Sequence, residues 1–214
     1  MGYLPSSHTA YIRVAGAANK LGKATSAIYK IDTNSDKVSG SVNFPLAAGT
    51  VFALSPDGNK LAYITTSSIN KAAINVLDIK KNKTQTVQWD KGPLPTSSGS
   101  MAWSPDSKKL LVQTINLAPP TANQTPEPSV IAYIDVSKKD GPVNVIQEIS
   151  DPAHQAVLSL GWLDNSTVVY QLKKSSKAYS FVEASSQTLR QDIGSKSSSP
   201  EQVPSGDLLQ VINY

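Results

Sequence analysis

The chain has 214 residues, 39% of them hydrophobic and 17% charged, with a formal net charge of +4 and no cysteine. That length suits one large domain or two small ones, and the composition is too apolar for a disordered chain. Disulfides, zinc-thiolate sites, iron–sulfur clusters and thiol nucleophiles are excluded, and no apolar run approaches the roughly 18 residues of a membrane helix.

In chain order, residues 4–12 (LPSSHTAYI) read as a turn leading into a strand, and residues 15–26 (AGAANKLGKATS) as a long loop. Residues 27–38 (AIYKIDTNSDKV) are a short apolar strand, an acid and a polar turn. Residues 52–64 (FALSPDGNKLAYI) place a Pro/Asp/Gly turn between two apolar stretches, which predicts a hairpin. Residues 73–84 (AINVLDIKKNKT) repeat the strand–acid–turn pattern, and residues 102–112 (AWSPDSKKLLV) repeat the hairpin. A second long loop, 115–129, precedes VIAYIDVSKKDG at 130–141. A worn hairpin (LGWLDNSTVVY, 160–170) and AYSFVEASSQTL (178–189) follow, and VPSGDLLQV (203–211) starts the pattern once more. The acid after the strand is Asp32, Asp78, Asp135 and Glu183 in turn.

Hairpin plus hairpin makes a four-stranded antiparallel unit. The aligned positions Pro5, Pro56, Pro105, Leu163 and Pro204 are 51, 49, 58 and 41 residues apart. Four short strands at a period of about 40 to 50 residues mark a β-propeller blade. The phrase SPDGNKLAYI, followed by INVLD, resembles the TolB-type repeat, a cousin of the WD repeat. The fourth unit departs from it, with Leu163 and Asn165 in place of the proline and glycine. The resemblance implies an all-β propeller, closed or partial, of about four blades. It implies one domain over 1–214, with units near 4–45, 46–95, 96–152 and 153–200 and a closing or next-blade strand at 203–214. Expected core positions include Phe52, Leu54, Leu61, Tyr63, Trp103, Leu110, Val112, Ile131, Tyr133, Trp162, Val168 and Tyr170.

Chemistry-bearing motifs are weak. AANKLGKA at 17–24 lacks both the first glycine and the hydroxyl of a phosphate loop. Ser68-Ile-Asn-Lys71 has neither partner motif of the β-lactamase nucleophile, and no Gly-x-Ser-x-Gly elbow occurs. Asp32, Asn34 and Asp36 alternate as calcium ligands do, but Lys37 takes the place of the turn glycine and Asn43 that of the bidentate glutamate. The two histidines, His8 and His154, fall in a turn and a connector. No catalytic residue, metal ligand or cofactor is therefore assigned. Three sequons (Asn82, Asn123, Asn165) have meaning only in a secreted eukaryotic chain.

Partner surfaces follow from blade geometry. With strands a to d in each unit, a–b and c–d turns leave one end of the blades, and b–c loops and d–a connectors leave the other. The b–c end carries the loops 15–26 and 115–129, the second holding Pro119, Pro120, Pro126 and Pro128. Long loops on a rigid scaffold concentrate binding function, and proline lowers their ordering cost. Lys20, Lys23, Lys71, Lys173, Lys174 and Lys177 also fall there, with Glu127 as counterweight. Candidate partner-binding residues are Lys20, Lys23, Trp89, Pro119, Pro120, Lys173, Lys174 and Lys177, with His154 beside them. Arginine occurs only at Arg13 and Arg190, and no basic run is interleaved with aromatics, so nucleic acid is not an expected partner. A protein partner or an anionic polymer is, steered by positive charge.

The expected role is a non-enzymatic binding or scaffold module of a larger protein. The absence of cysteine and the TolB-type resemblance lean to a periplasmic, cell-surface or secreted setting. The alternative is the accessory propeller of a peptidase or hydrolase whose catalytic domain lies outside this chain. An incomplete propeller would also be prone to self-association through its open edges. MGYLPSSH has no signal-peptide character, and so abrupt a start suggests a native chain that extends upstream.

Overall fold

A computed structural model describes residues 2–4, 9–18, 24–44, 51–68, 71–87, 89, 101–114, 129–138, 141–151, 154–178, 185–194 and 199–203. Every regular element among them is a strand, and no helix is long and apolar enough to cross a membrane. Among the described residues sixteen strands form four sheets of four, each antiparallel and each built from consecutive strands. Sheet 1 holds β1 (Gly2–Leu4), β2 (Thr9–Ala18), β3 (Ala24–Asp32) and β4 (Lys37–Phe44). Sheet 2 holds β5 (Phe52–Leu54), β6 (Lys60–Ser68), β7 (Lys71–Asp78) and β8 (Lys83–Val87). Sheet 3 holds β9 (Met101–Trp103), β10 (Lys109–Gln113), β11 (Ser129–Asp135) and β12 (Val143–Ile149). Sheet 4 holds β13 (Gln155–Trp162), β14 (Thr167–Lys174), β15 (Ser185–Asp192) and β16 (Glu201–Gln202).

In sheet 3 the second and third strands read as apolar runs because sheets 2 and 4 cover both of their faces. Ile64, Ile74 and Val76 of sheet 2 meet Leu110, Val112 and Ile134 of sheet 3 in one buried cluster. The other face of sheet 3 (Leu111, Ile131, Ile149) meets Leu160, Val168, Tyr170 and Leu172 of sheet 4. Leu54, Leu61, Tyr63 and Leu77 form a third cluster on the far side of sheet 2. The expected core positions all lie in these clusters or pack against them.

Two expectations need correction. The loop 15–26 is largely strand: β2 runs to Ala18 and β3 begins at Ala24, pairing with each other there, so the connection is 19–23. The pairing of β2 with β3 overrides the weak strand preference of these small residues, because strand propensity is a context-dependent prior. In the fourth unit the third strand is Ser185–Asp192, paired with β14 along its whole length, rather than a strand ending at Glu183. Asp192 sits opposite Thr167 just as Asp78 sits opposite Lys60, so Asp192 and not Glu183 is the repeated acid. Its Oδ1 accepts the Gly194 amide at 2.7 Å. The b–c connection of sheet 4 is consequently long, 175–184, and carries Lys177. Val203 donates its amide to Thr188, so residues 201–203 run along sheet 4, while 204–214 lie outside the described residues.

Candidate functional site

The a–b turns show what the repeated Ser-Pro-Asp phrase does. Ser55 Oγ donates to Asp57 Oδ1 at 2.6 Å and accepts the Lys60 amide at 2.9 Å. Ser104 repeats both bonds, to Asp106 at 2.7 Å and from Lys109 at 2.9 Å. Gly58 and Ser107, at the tightest point of each turn, have φ of 67° and 59°. Burial works against the charge on Asp57, but the Ser55 hydroxyl, Asn59 and Lys60 outweigh it and hold the carboxyl below its ordinary 3.8. Asp106 is lowered in the same way, against burial, by Ser104 and the Lys108 amide, then Lys108 and Lys109.

Each turn is also wired to the next sheet. The Asp57 amide donates to Ser107 Oγ at 3.1 Å, and the Asp106 amide to Asn165 Oδ1 at 2.9 Å. Lys60 Nζ donates to the Ser107 carbonyl at 2.8 Å and lies 5.9 Å from the Trp103 ring centre. Lys109 donates to the Asn165 carbonyl and lies 6.0 Å from the Trp162 ring. The indoles close the circuit, Trp103 Nε1 donating to the Ala53 carbonyl at 3.0 Å and Trp162 Nε1 to Ala102 at 3.1 Å. Lysine of one sheet and tryptophan of the next thus form a latch between sheets 2 and 3 and again between 3 and 4.

The c–d turns consume their charges too. Asp32 Oδ1 accepts the Asn34 and Ser35 amides at 2.8 and 3.3 Å, which is hairpin-turn work for a residue whose spacing had hinted at calcium. Asp78 accepts the Lys81 amide and pairs with Lys81 Nζ at 3.2 Å, and Asp135 pairs with Lys138 at 3.3 Å. At the a–b turn of sheet 3, Asp106 likewise pairs with Lys108 at 3.8 Å.

Because the a–b turns of sheets 2, 3 and 4 touch one another, the b–c connections of those sheets leave from the opposite end. There the structure brings together Lys174, opposite Gln155, and Lys173, opposite Ala156. His154 stands at the mouth of the same strand pair, its carbonyl accepting the Ser175 amide at 2.9 Å and its Nδ1 3.1 Å from both Asp151 oxygens. Lys177 follows in a Ser175-capped turn at 3.1 Å. Lys174 and Lys177 are exposed, and among the described residues no carboxylate pairs with either within 4.0 Å. Trp89, just after β8, is half-buried against the core between sheets 2 and 3. Lys20, Lys23, Pro119 and Pro120 lie outside the described residues. The sequence reading did not find the Asp151–His154 pair; His154 three residues after an acid at a strand start was its only signal.

No protein-family model matches the chain, and none of the curated proteins does. Solved structures do. The β-propeller domain of the Trilobed protease from Pyrococcus furiosus matches at TM-score 0.56 and 14% identity, over 92% of this chain and 53% of that one. Pyrococcus horikoshii acylaminoacyl peptidase matches at 0.55 and 17%, over 92% and 30%. A putative TolB from Agrobacterium tumefaciens matches at 0.53 and 14%, over 93% and 62%. The chain therefore spans between about a third and three fifths of the structures it resembles. Four four-stranded antiparallel sheets, the last three latched in series, and these likenesses together identify the fold as an array of β-propeller blades.

Proposed function

We propose that the chain is a single-domain binding module that recognises an acidic protein partner or an anionic polymer through its b–c end. The observation that carries this reading is the contrast between the two ends. At the turn end each described c–d acid of sheets 2 and 3 has a lysine and the latch lysines are spent on carbonyls; at the b–c end Lys174 and Lys177 face solvent beside a long connection. Uncompensated positive charge on a rigid rim raises the encounter rate with an anionic partner. Lys20, Lys23, Trp89, Pro119, Pro120 and Lys173 are proposed to extend that rim. An extracytoplasmic setting, as part of a larger protein, agrees with the TolB-type likeness and the absence of cysteine.

The test uses poly-glutamate as probe. The variant Lys173→Glu, Lys174→Glu, Lys177→Glu should bind at least tenfold more weakly at low salt and lose most of its salt dependence, with melting nearly unchanged. Unchanged binding refutes the rim, and an unfolded variant shows that these lysines are structural. The peptidase likenesses favour a second reading, the accessory propeller of a hydrolase whose catalytic domain lies outside this chain. Addition of the purified chain should then alter cleavage by that hydrolase domain.

A further inference from the structure

The connector between sheets 3 and 4 sets the histidine of the b–c end on a turn that its own side chain does not close. The Asp151 carbonyl accepts the His154 and Gln155 amides at 3.2 and 2.9 Å, and the His154 carbonyl accepts the Ser175 amide at 2.9 Å. This backbone holds the imidazole against the acid, with Nδ1 3.1 Å from both Asp151 oxygens. An ionised carboxylate can only accept, so in the neutral ring the proton belongs on Nδ1 and Nε2 is left with a lone pair. The imidazole is 42% exposed, and among the described residues nothing bonds Nε2.

Charges of both signs surround this ring. β14 supplies Lys173, opposite Ala156, and Lys174, opposite Gln155, and the turn that follows supplies Lys177. On the sheet 3 side the carboxylates are Asp151 itself and Glu148 near the end of β12. A neutral ring shows an incoming anion a lone pair next to the Asp151 charge, and both repel it. An imidazole is the side chain that gains a charge between pH 8 and 5. Protonation at Nε2 converts the lone pair into a charged donor, and the imidazolium neutralises Asp151. One proton therefore adds an attraction to the rim and removes a repulsion.

We infer that His154, held by Asp151, is a pH-sensitive anion contact of the b–c rim, which binds an anionic partner more tightly once Nε2 is protonated. This rests on the anion-binding reading of the rim proposed above. Dextran sulfate is the probe, because its sulfate esters stay ionised throughout. At constant ionic strength its dissociation constant should fall about fivefold from about pH 7.5 to about pH 5.5. By linkage, calorimetry in two buffers at about pH 6.5 should show net proton uptake on binding. His154→Gln should lose both effects and keep its melting temperature, because the turn is closed by backbone. In the wild type, long-range proton–nitrogen NMR spectra at about pH 8 should place the ring proton on Nδ1, which needs no variant to fold. A ring proton on Nε2, an affinity that does not change with pH, or a pH response that survives in His154→Gln overturns the inference. The rim lysines still stand in those cases if Lys173→Glu, Lys174→Glu, Lys177→Glu abolishes binding. A wild type that binds at neither pH overturns the rim reading and this inference with it.

Discussion

Lys60→Met tests the latch directly, because methionine keeps an unbranched stem and removes only the ammonium. The ammonium makes one charge-assisted bond, 2.8 Å to the Ser107 carbonyl, and one ring contact, 5.9 Å from Trp103. The bond is half-exposed, so the lower end of the range for charged hydrogen bonds applies, about 1.5 kcal/mol. The ring contact adds about 0.5 kcal/mol at such a site. A loss of about 2 kcal/mol in a chain of this size lowers the melting temperature by about 4 to 8 °C. Thermal unfolding followed by circular dichroism reads this, and urea titration should move the midpoint without changing the slope. Lys109→Met should cost a similar amount at the next joint, and the two losses should add, since no partner is shared. Lys108→Met is the control: it holds only Asp106, at 3.8 Å and largely in solvent, and should shift melting by less than about 1 °C. If Lys60→Met melts with the wild type, or the control falls as far, the latch contributes nothing and the loss is generic charge.

Tyr170→Phe should raise the melting temperature by about 2 to 4 °C, since its buried hydroxyl has no partner among the described residues and burial alone pushes the phenol up to about 12; a fall would show that the hydroxyl is bonded. Acid should weaken the turns: Asp57, Asp106 and Asp164 titrate below 3.8 in the fold, so the unfolded chain takes up protons first as pH drops. Their stabilisation is complete above about pH 5 and is lost as pH falls through the native values. Asp106→Asn should therefore be less stable than the wild type at pH 6, and the gap should narrow as pH falls below 3.8; a gap that does not change with pH would contradict the assignment.

How much of this was legible follows from the range of each interaction. The Ser-Pro-Asp turn closes within five residues, so its serine, aspartate and lysine announce the hairpin in any single copy. The destination of that lysine is 47 residues away in the next sheet, and nothing local marks it. A pattern does mark it across copies: Lys60 precedes a unit with Trp103 and Lys109 one with Trp162, whereas Thr9 precedes Leu54. The fourth unit misled because apolar content is a guide to strands only where both faces are covered. AYSFV looked like the third strand, but the fold uses the polar Ser185–Asp192, and a strand beside a polar outer face needs few apolar residues. The acid followed by a turn glycine, Asp192 and Gly194, was the better marker. Of the candidate rim, strand parity placed Lys173, Lys174, Lys177 and His154 beside one another, because alternation along paired strands is a local rule.

The two ends of the array therefore carry different kinds of information. At the turn end the aspartates that close the turns and the latch lysines are engaged in holding the fold. An aspartate closes its own turn, Lys81 and Lys138 pair with theirs, and Lys60 and Lys109 reach the next sheet. Substitution there should register as stability. At the b–c end the backbone does the structural work, through the pairing of β13 with β14 and the Ser175 amide on His154, while the side chains of Lys174 and Lys177 add nothing to it. Substitution there should register as binding. The division has a physical origin, because a turn must satisfy its own polar groups within a few residues, whereas a longer connection leaves its side chains unspent. A scan of single lysine-to-glutamate changes over both ends, read by melting and by poly-glutamate affinity, separates the two. Lys60 and Lys109 should fall on the stability axis and Lys174 and Lys177 on the affinity axis. A change at Lys174 that costs stability but not affinity would reverse the assignment of the ends.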